Sequence, residues 1–384
     1  MTFQYISPWM NEELNILRLS ARKFLQKEFT PYLESWIEQK YVDKAAWLKA
    51  GSAGLLCASI PDQYGGGGGT IAHETVILEE LEGCGVGVNF GNTIHSGIVA
   101  HYILAYGSED QRQRWLPQMA SGELIGALAM TEPGAGSDLQ NIRMRAARNE
   151  SGYLLNGQKT FITNGHMAGI IVVAAKVNLD AGAKGISLFV VETENCDGFR
   201  RGRNLRKIGM HASDTAELFF DNVYVPADNI LGGKEGVGFS QMMAQLPIER
   251  LLIAISAVAA IEPAVDITRE YVKEREAFGK RLLDFQNTGF KLAERATEAT
   301  IARVFIDYCI ERAIAGDLDA VTASMAKWWL TDKQSETADV CLQMFGGYGY
   351  MEEYPISQMY VDSRVQRIYG GTNEIMKMLI ARHL

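Results

Sequence analysis

The segment Leu124–Gly165 contains residue types that suit the binding of a flat, polar ligand. An apolar run at its start predicts a strand, and the loop that follows holds two hydroxyls and three residues that interrupt regular structure: Thr131, Ser137, Pro133, Gly134 and Gly136. Such a loop exposes backbone N–H groups, which suit a phosphate-bearing ligand against an apolar wall. An ordinary Gly-Pro turn is the alternative that the loop alone leaves open.

The residues Lys159–Gly165 add an aromatic side chain, a hydroxyl and a turn. Phe161 supplies a plane, Thr163 supplies a hydroxyl, and Asn164-Gly165 is a turn signal. A heteroaromatic ring needs a stacking face together with hydrogen bonds at its edge. The two stretches together therefore predict a site for such a ring.

The hydrophobic pattern along the chain changes twice, from helical to β-rich and back to helical. These elements must position the candidate residues. Residues 1–123 predict helices, residues 124–235 predict short β-rich runs separated by turns, and residues 236–384 predict helices again. The clearest elements are Lys44–Gly51, Ile71–Leu81, Asn92–Tyr106, Gly169–Ala175, Gly185–Val191, Glu217–Val225, Glu249–Val272, Gln286–Ala315, Ala320–Phe345 and a last helix capped by Thr372. No GxGxxG motif opens a helix, which argues against a Rossmann fold. The predicted class is α+β, with an N-terminal helical domain, a small middle β domain and a C-terminal four-helix bundle.

The composition argues against several classes of function. Of 384 residues, 47% are apolar and 22% are charged, and 37 basic against 46 acidic residues give a net charge of −9. Without a basic run, binding to nucleic acid is not expected. Five scattered cysteines without a CxxC pair argue against a metal site and a disulfide framework. No apolar stretch approaches membrane-spanning length and no transit peptide is visible, so we expect a cytoplasmic, bacterial protein with no membrane partner.

The two loops resemble the flavin-embracing motifs of the acyl-CoA dehydrogenase family, with Phe161 where the family usually has Trp. The resemblance covers nearly the whole chain, through Ile94–Val99, Ala129–Asp138, Gly185–Glu192, Asp214–Phe220, Glu249–Ala254 and Tyr354–Arg382. Ile368–Lys377 is especially similar to the long-chain branch. The resemblance implies FAD as cofactor, desaturation of a medium- to long-chain acyl-CoA, and transfer of electrons to an electron-transfer flavoprotein.

The catalytic base is where the chain departs from much of this family. Many members carry Glu just before the Gly-Thr of the C-terminal motif, where this chain has Gly370. The long-chain and isovaleryl branches carry it on the bundle helix instead, which implies Glu249 as the base and Gly370 N–H as a donor to the thioester oxygen. From its local sequence alone, Glu249 could equally be a first-turn residue favoured by the helix dipole, or an ion-pair partner of Arg250.

The resemblance also implies the remaining contacts. Those around the flavin ring are Met130, Thr131, Gly136, Phe161, Ile162 and Thr163, with Ser137 at the junction of flavin and CoA. The implied contacts with the rest of FAD are Gln343, Gly346, Gly347, Thr372 and Glu374. A further segment, which contains Arg275, Phe278 and Gln286, is expected to contact the FAD that is bound by a neighbouring subunit. Substrate-side candidates are Ser240, Arg250 and Gly371. Its local sequence alone favours Arg275 as a solvated charge among Lys273, Glu274 and Glu276.

Three alternative functions remain open from the sequence. A branched-chain, isovaleryl-like dehydrogenase shares the position of Glu249, and an acyl-CoA oxidase shares the fold. A flavin-binding relative that acts only as an assembly partner is a third. The nearly all-apolar Leu251–Val265 stretch and the matched Arg275 predict a homo-oligomer, most simply a tetramer.

Overall fold

The protein, seen here in a computed structural model, is described over residues 5–384. Its N-terminal part is a layer of helices: α1 (Glu12–Glu28), α2 (Leu33–Gln39), α3 (Lys44–Ser52), α4 (Ile71–Gly83), α5 (Ala100–Tyr106) and α6 (Glu109–Ala120). A π-helical stretch, Thr93–Val99, runs directly into α5. Side-chain caps fix two of the helix starts, because Asn11 accepts a hydrogen bond from Leu14 N and Ser108 accepts one from Gln111 N.

The middle part forms a seven-stranded sheet within the described chain. Its strands are β1 (Gly126–Ala129), β2 (Arg145–Arg148), β3 (Gly152–Thr163), β4 (Ile170–Lys176), β5 (Ile186–Glu192), β6 (Phe199–Asn204) and β7 (Thr215–Pro226). β1 runs parallel to β4, whereas β3 pairs antiparallel with both β2 and β7. On β4, Ile170, Val172 and Ala174 pack toward the helices, while the alternate residues fill the core of the middle domain. This two-sided burial explains the continuous apolar run of β4.

The C-terminal part is a bundle of helices around one long central helix. Its elements are α7 (Gly238–Glu274), a hairpin of β8 (Glu276–Ala277) and β9 (Lys280–Arg281), α8 (Gln286–Ile314), α9 (Ala320–Phe345), α10 (Pro355–Gln366) and α11 (Asn373–Ala381). α7 packs against α9 and α8 within the bundle and against α4 of the N-terminal layer. The fold thus has the helical, β and helical parts that the sequence predicted.

The start of α7 differs from the prediction. The helix begins at Gly238, about three turns before Glu249, and it contains both Pro247 and Pro263. A proline inside a helix removes a backbone hydrogen bond, so Pro247, two residues before Glu249, locally favours a later helix start. Packing on most sides of α7 overrides this local preference. Glu249 is therefore not a first-turn residue.

Several elements were not predicted individually: α2, α6 and α10 within the helical regions, the strands β2, β3 and β6, and the hairpin of β8 and β9. The segment Lys159–Gly165 was expected to be a loop, but most of it is the end of β3. Polar residues at Asn156, Gly157 and Gln158 interrupt the apolar alternation that identifies a strand.

α7 also corrects the expectation that no apolar stretch approaches membrane-spanning length. By length and composition alone, α7 is long and apolar enough to cross a membrane. However, 72% of its most apolar window is buried inside the fold. The core helix of a soluble protein passes the same test.

Candidate active site

The two predicted loops lie side by side and are joined by a buried ion pair. Thr160 N donates to Thr131 O at 3.0 Å, and Nζ of Lys159 donates to Met130 O at 2.8 Å and to Oε1 of Glu132 at 2.9 Å. The same carboxylate also accepts backbone N–H groups from the chain beyond the loop, those of Arg143 and Met144. Lys159 is fully buried, and burial lowers its pKa to about 8. This clamp fixes the separation of the two loops.

Phe161 presents its ring outward from a bulge. The pairing register of β3 with β7 shifts between Lys159 and Ile162, and Phe161 has a φ of +59° with 68% of its surface exposed. An exposed aromatic side chain in left-handed backbone is an unusual arrangement that a ring-binding role explains. The side chain of Ile162, in contrast, is buried in the core of the middle domain, so only its backbone is available to a ligand.

The turn after Phe161 is tied to the N-terminal helices. Asn164 has a φ of +62°, and its Nδ2 donates to Gly91 O at 3.0 Å and to Gly126 O at 3.1 Å. Gly126 N in turn donates to Nδ1 of buried His95 at 3.0 Å. Asn tolerates left-handed backbone better than most residues. The turn at Asn164 is therefore held by the backbone of Gly126, which also contacts His95 of the π-helical stretch.

Glu249 faces α5 from the interior of α7. It is buried with 7% of its surface exposed, and Oη of Tyr102 donates to its Oε1 at 2.9 Å. Burial raises the pKa of Glu249 from 4.5 to about 7. Arg250 donates to Oγ of Ser324 at 3.3 Å, and among the described residues no ion pair within 4.0 Å joins it to Glu249. Both local alternatives for Glu249, a first-turn carboxylate and an ion-pair partner, are therefore wrong.

Gly370 lies against α7 one turn beyond Glu249. Gly370 has a φ of +63°, and a β-carbon added there would clash with Cδ1 of Ile253, which follows Glu249 on the same face of α7. Gly371 O accepts a 2.8 Å hydrogen bond from Nζ of Lys327, a buried side chain of α9 that also donates to Oδ1 of Asn373. The backbone of Gly370 is thus held beside the segment of α7 that carries the carboxylate.

The candidates for the rest of the cofactor form two separate groups. Oγ1 of Thr372 accepts from Ile375 N and caps α11, with Glu374 exposed in the first turn. The guanidinium of Arg275 lies 5.6 Å from the ring of Tyr348. The other candidates of this group are also exposed, on the hairpin, at the start of α8, near the end of α9 and on the turn after it: Phe278, Gln286, Gln343, Gly346 and Gly347. These exposed residues are accessible to a second chain.

Two candidate substrate-binding residues, Ser240 and Ser137, lie on the surface. Ser240 is exposed and donates to Val237 O at 2.7 Å, within the first turn of α7. Ser137 is exposed in the loop after β1.

An open groove of about 700 Å³ on this side of the molecule is lined partly by Glu132, Asp138 and Arg143, and its lining includes neither Glu249 nor Gly370. Among residues 5–384, no three His, Cys, Asp or Glu side chains form a group that could hold a metal ion.

Comparison with known proteins connects this geometry to a family. Three domain models, described as the N-terminal, middle and C-terminal domains of acyl-CoA dehydrogenase, match residues 11–123, 127–223 and 236–384. The chain belongs to the acyl-CoA dehydrogenase family. This is a flavin-dependent family of oxidoreductases involved in fatty acid oxidation, so the protein is an acyl-CoA dehydrogenase-type enzyme.

Individual members of the acyl-CoA dehydrogenase family match over nearly the full chain. The long-chain specific acyl-CoA dehydrogenase of Rattus norvegicus is 47% identical over 378 residues, 97% of this chain and 87% of that protein. The isovaleryl-CoA dehydrogenase of Solanum tuberosum is 34% identical over 367 residues, 95% of this chain and 89% of that protein. An acyl-CoA dehydrogenase structure from Geobacillus kaustophilus has a TM-score of 0.96 at 48% identity, covering 98% of this chain and 99% of that one.

A flavin complex is known for one structural relative. A glutaryl-CoA dehydrogenase from Mycobacterium smegmatis, solved with FADH2, has a TM-score of 0.90 at 28% identity, covering 97% of this chain and 95% of that one. The residues of this chain fit such a group, because the exposed plane of Phe161, the open loop at Gly134 and Gly136, and the free end of α11 provide stacking, N–H donors and a helix N-terminus.

Three residues with structural roles at this acyl-CoA dehydrogenase site were not identified from the sequence: Tyr102, Lys159 and Lys327. Each contacts a candidate residue or its loop through a buried side chain. Lys159 lies within the stretch Lys159–Gly165, but its neighbours Gln158 and Thr160 are polar and do not indicate a buried side chain. Tyr102 and Lys327 belong to helices whose partners only the tertiary structure reveals.

Proposed function

We propose that this protein is an FAD-dependent acyl-CoA dehydrogenase in which Glu249 is the catalytic base. One observation carries the proposal: a buried carboxylate with a pKa of about 7 lies one helical turn from the residue that packs on side-chain-free Gly370. A base works best when its pKa is near the operating pH. The relatives at this level of similarity include long-chain and branched-chain dehydrogenases.

The reaction is the α,β-desaturation of an acyl thioester. Glu249 takes the α-proton, the electron pair of the broken Cα–H bond forms the double bond, and hydride leaves from the β-carbon. Bound FAD supplies the acceptor for that hydride at N5 of its ring. The α-proton of a thioester is weakly acidic, so the charge that develops on the thioester oxygen needs donors. The backbone N–H of Gly370 serves this role in the proposed site.

The proposed FAD site uses the loops that Lys159 and Glu132 hold together. Phe161 would provide the stacking face for the flavin ring, and Thr131 and Thr163 would provide hydrogen bonds at its edge. The N-terminus of α11, capped by Thr372, accommodates the diphosphate because helix N-termini favour anions. Arg275 and Phe278 contact the FAD of a neighbouring copy in a homotetramer, which their exposure permits.

We propose a medium- to long-chain straight acyl group as the substrate and an electron-transfer flavoprotein as the acceptor, in the cytoplasm. The 47% identity with a long-chain specific dehydrogenase supports the chain length. A branched-chain dehydrogenase is the second candidate, because an isovaleryl-CoA dehydrogenase aligns over 95% of this chain. An acyl-CoA oxidase and a non-catalytic assembly partner are disfavoured by the overall similarity to dehydrogenases and by the presence of Glu249.

The test is a series of acyl-CoA substrates of increasing length, with isovaleryl-CoA included, assayed with an artificial electron acceptor and with oxygen. We expect yellow protein with non-covalent FAD, the highest kcat/KM for medium to long straight chains, and little peroxide. A maximum at butyryl-CoA or isovaleryl-CoA would contradict the chain length. Rapid peroxide formation would indicate an oxidase, and the absence of any turnover would contradict the enzymatic assignment.

A further inference from the structure

Tyr102 occupies a position from which it acts directly on the proposed base. Its ring is buried on α5, and its Oη lies 2.9 Å from Oε1 of Glu249. A hydroxyl has one donor hydrogen, and Tyr102 directs that hydrogen to the carboxylate. Hydrogen bonds that end on an ionised group are roughly twice as strong as those between neutral groups.

The hydrogen bond holds one carboxylate oxygen and leaves the other available. Among the described residues, Oε1 of Glu249 has Tyr102 as its hydrogen-bond donor, and no hydrogen bond is formed by Oε2. A carboxylate that is fixed through one oxygen loses less rotational freedom when its other oxygen accepts a proton. The entropic cost of the proton transfer is therefore smaller. Oε2 is therefore the oxygen of Glu249 that is available to a substrate proton.

We propose that Tyr102 is a positioning residue, whose hydroxyl orients Glu249 through Oε1 and favours its ionised form. The proposal rests on the assignment of Glu249 as the base. A hydrogen bond to the charged form of an acid favours that form, and burial opposes it. Without Tyr102, burial alone would push the carboxyl further toward its neutral, inactive form.

Few other groups act on the charge of Glu249. Within the described chain, Tyr102 from α5 and Arg250 from α7 are the groups that favour its ionised form. Arg250 is directed to Ser324 of α9 and acts on Glu249 only through its charge. Tyr102 is thus the only donor to Glu249 among residues 5–384, which makes its removal a clean perturbation.

α5 contains a matched control. Tyr106 lies one turn after Tyr102, with ring centroids 6.1 Å apart. Its Oη donates to Gln241 O at 3.0 Å and accepts from Nε2 of Gln245 at 3.2 Å. Tyr106→Phe therefore removes a hydroxyl from the same helix without removing a donor to Glu249.

The first experiment compares the pH dependence of flavin reduction by acyl-CoA in the wild type, Tyr102→Phe and Tyr106→Phe, all as FAD-bound protein without oxygen. We expect the acid limb of Tyr102→Phe to move upward by about one pH unit, which lowers the rate at pH 7 roughly fivefold. The acid limb of Tyr106→Phe should remain that of the wild type. An unshifted limb in Tyr102→Phe would overturn the proposal, even if the rate were lower at every pH.

The second experiment needs no turnover. Infrared spectroscopy of the resting protein follows the carboxylic C=O band of Glu249 during a pH titration, with Glu249→Gln to assign the band. We expect the midpoint to rise in Tyr102→Phe and to fall when Tyr102 is replaced by 3-fluorotyrosine, whose more acidic hydroxyl is a stronger donor. Equal midpoints in these proteins would overturn the proposal.

The two experiments separate the proposal from the function on which it rests. If the wild type reduces no flavin with any acyl-CoA, the dehydrogenase assignment fails, while the infrared midpoints still test the contact between Tyr102 and Glu249. The fluorotyrosine protein retains the full side chain, so it tests the contact even if Tyr102→Phe does not fold.

Discussion

Cδ1 of Ile253 fills the space that a β-carbon at Gly370 would need. Ile253 follows Glu249 by one turn on the same face of α7, so the residue that blocks a side chain at position 370 is next to the proposed base. The backbone of Gly370 also has a φ of +63°, which disfavours any side chain. Both features of Gly370 favour the proposed base on α7 over one at position 370.

Moving the carboxylate to position 370 should require a second change at position 253. We expect Glu249→Ala with Gly370→Glu to recover little activity, because the new side chain meets Ile253. Adding Ile253→Val removes Cδ1 and should raise kcat at least severalfold over the double variant. Recovery should stay below the wild type, since a side chain in left-handed backbone at position 370 costs about 1 kcal/mol. Equal kcat in the double and triple variants would contradict this steric account.

The clamp between Lys159 and Glu132 should support both stability and FAD retention. Lys159→Met leaves Glu132 buried without its partner, which typically costs about 3–5 kcal/mol. The double variant Lys159→Met with Glu132→Gln should recover a large part of the lost thermal stability, because no charge is then left unpaired. Melting temperature and bound FAD are measured together, with Lys377→Met as a more exposed lysine control. Unchanged FAD content in Lys159→Met would refute the clamp.

A variant at Arg275 tests whether the FAD site is completed by a neighbouring subunit. If it contacts the FAD of a neighbouring copy, Arg275→Ala should lower FAD retention and thermal stability together, in a protein that is otherwise a tetramer. Lys273→Ala is the control, because Lys273 pairs with Glu270 on the same helix end. Light scattering combined with flavin absorbance provides the measurement. A fully active, FAD-replete monomer would rule out a site completed across subunits.

The burial of Glu249 should make the protein less stable as the pH rises. Its pKa is raised from 4.5 to about 7 in the folded state, so the folded protein binds more protons than the unfolded chain between these values. The unfolding free energy therefore falls as the pH rises through this window. Glu249→Gln should match the wild type near pH 4.5 and be more stable at pH 8, by at most about 3 kcal/mol. A pH-independent difference would contradict an ionised, buried Glu249.

Much of the fold was predictable from the hydrophobic pattern. α9 was predicted at its observed bounds because Gly346 and Gly347 mark its end, and β4 was predicted within one residue because its apolar run is uninterrupted. The start of α7 and the end of β3 were mispredicted for opposite reasons. Pro247 signals a break that tertiary packing overrides, and the polar residues before Phe161 conceal a strand whose pairing with β7 is long-range.

The candidate site was predictable only where its residues lie in continuous motifs. The loops around Thr131 and Phe161 and the Gly370–Thr372 turn were identified in this way. The partners of Glu249 and Gly371 were not, because Tyr102 and Lys327 are far away in sequence and no local period marks a side chain that will meet them. Such contacts are set by how the helices pack against each other.

The most direct test of the catalytic assignment is the rate at which acyl-CoA bleaches the flavin absorbance of Glu249→Gln under anaerobic mixing. Glu270→Gln, an exposed position on the same helix, is the control. The amide keeps the shape of the side chain but cannot accept the α-proton, so we expect FAD content and acyl-CoA binding to persist while the rate falls by about a hundredfold to ten-thousandfold. A near-normal rate of flavin reduction in Glu249→Gln would show that Glu249 is not the base.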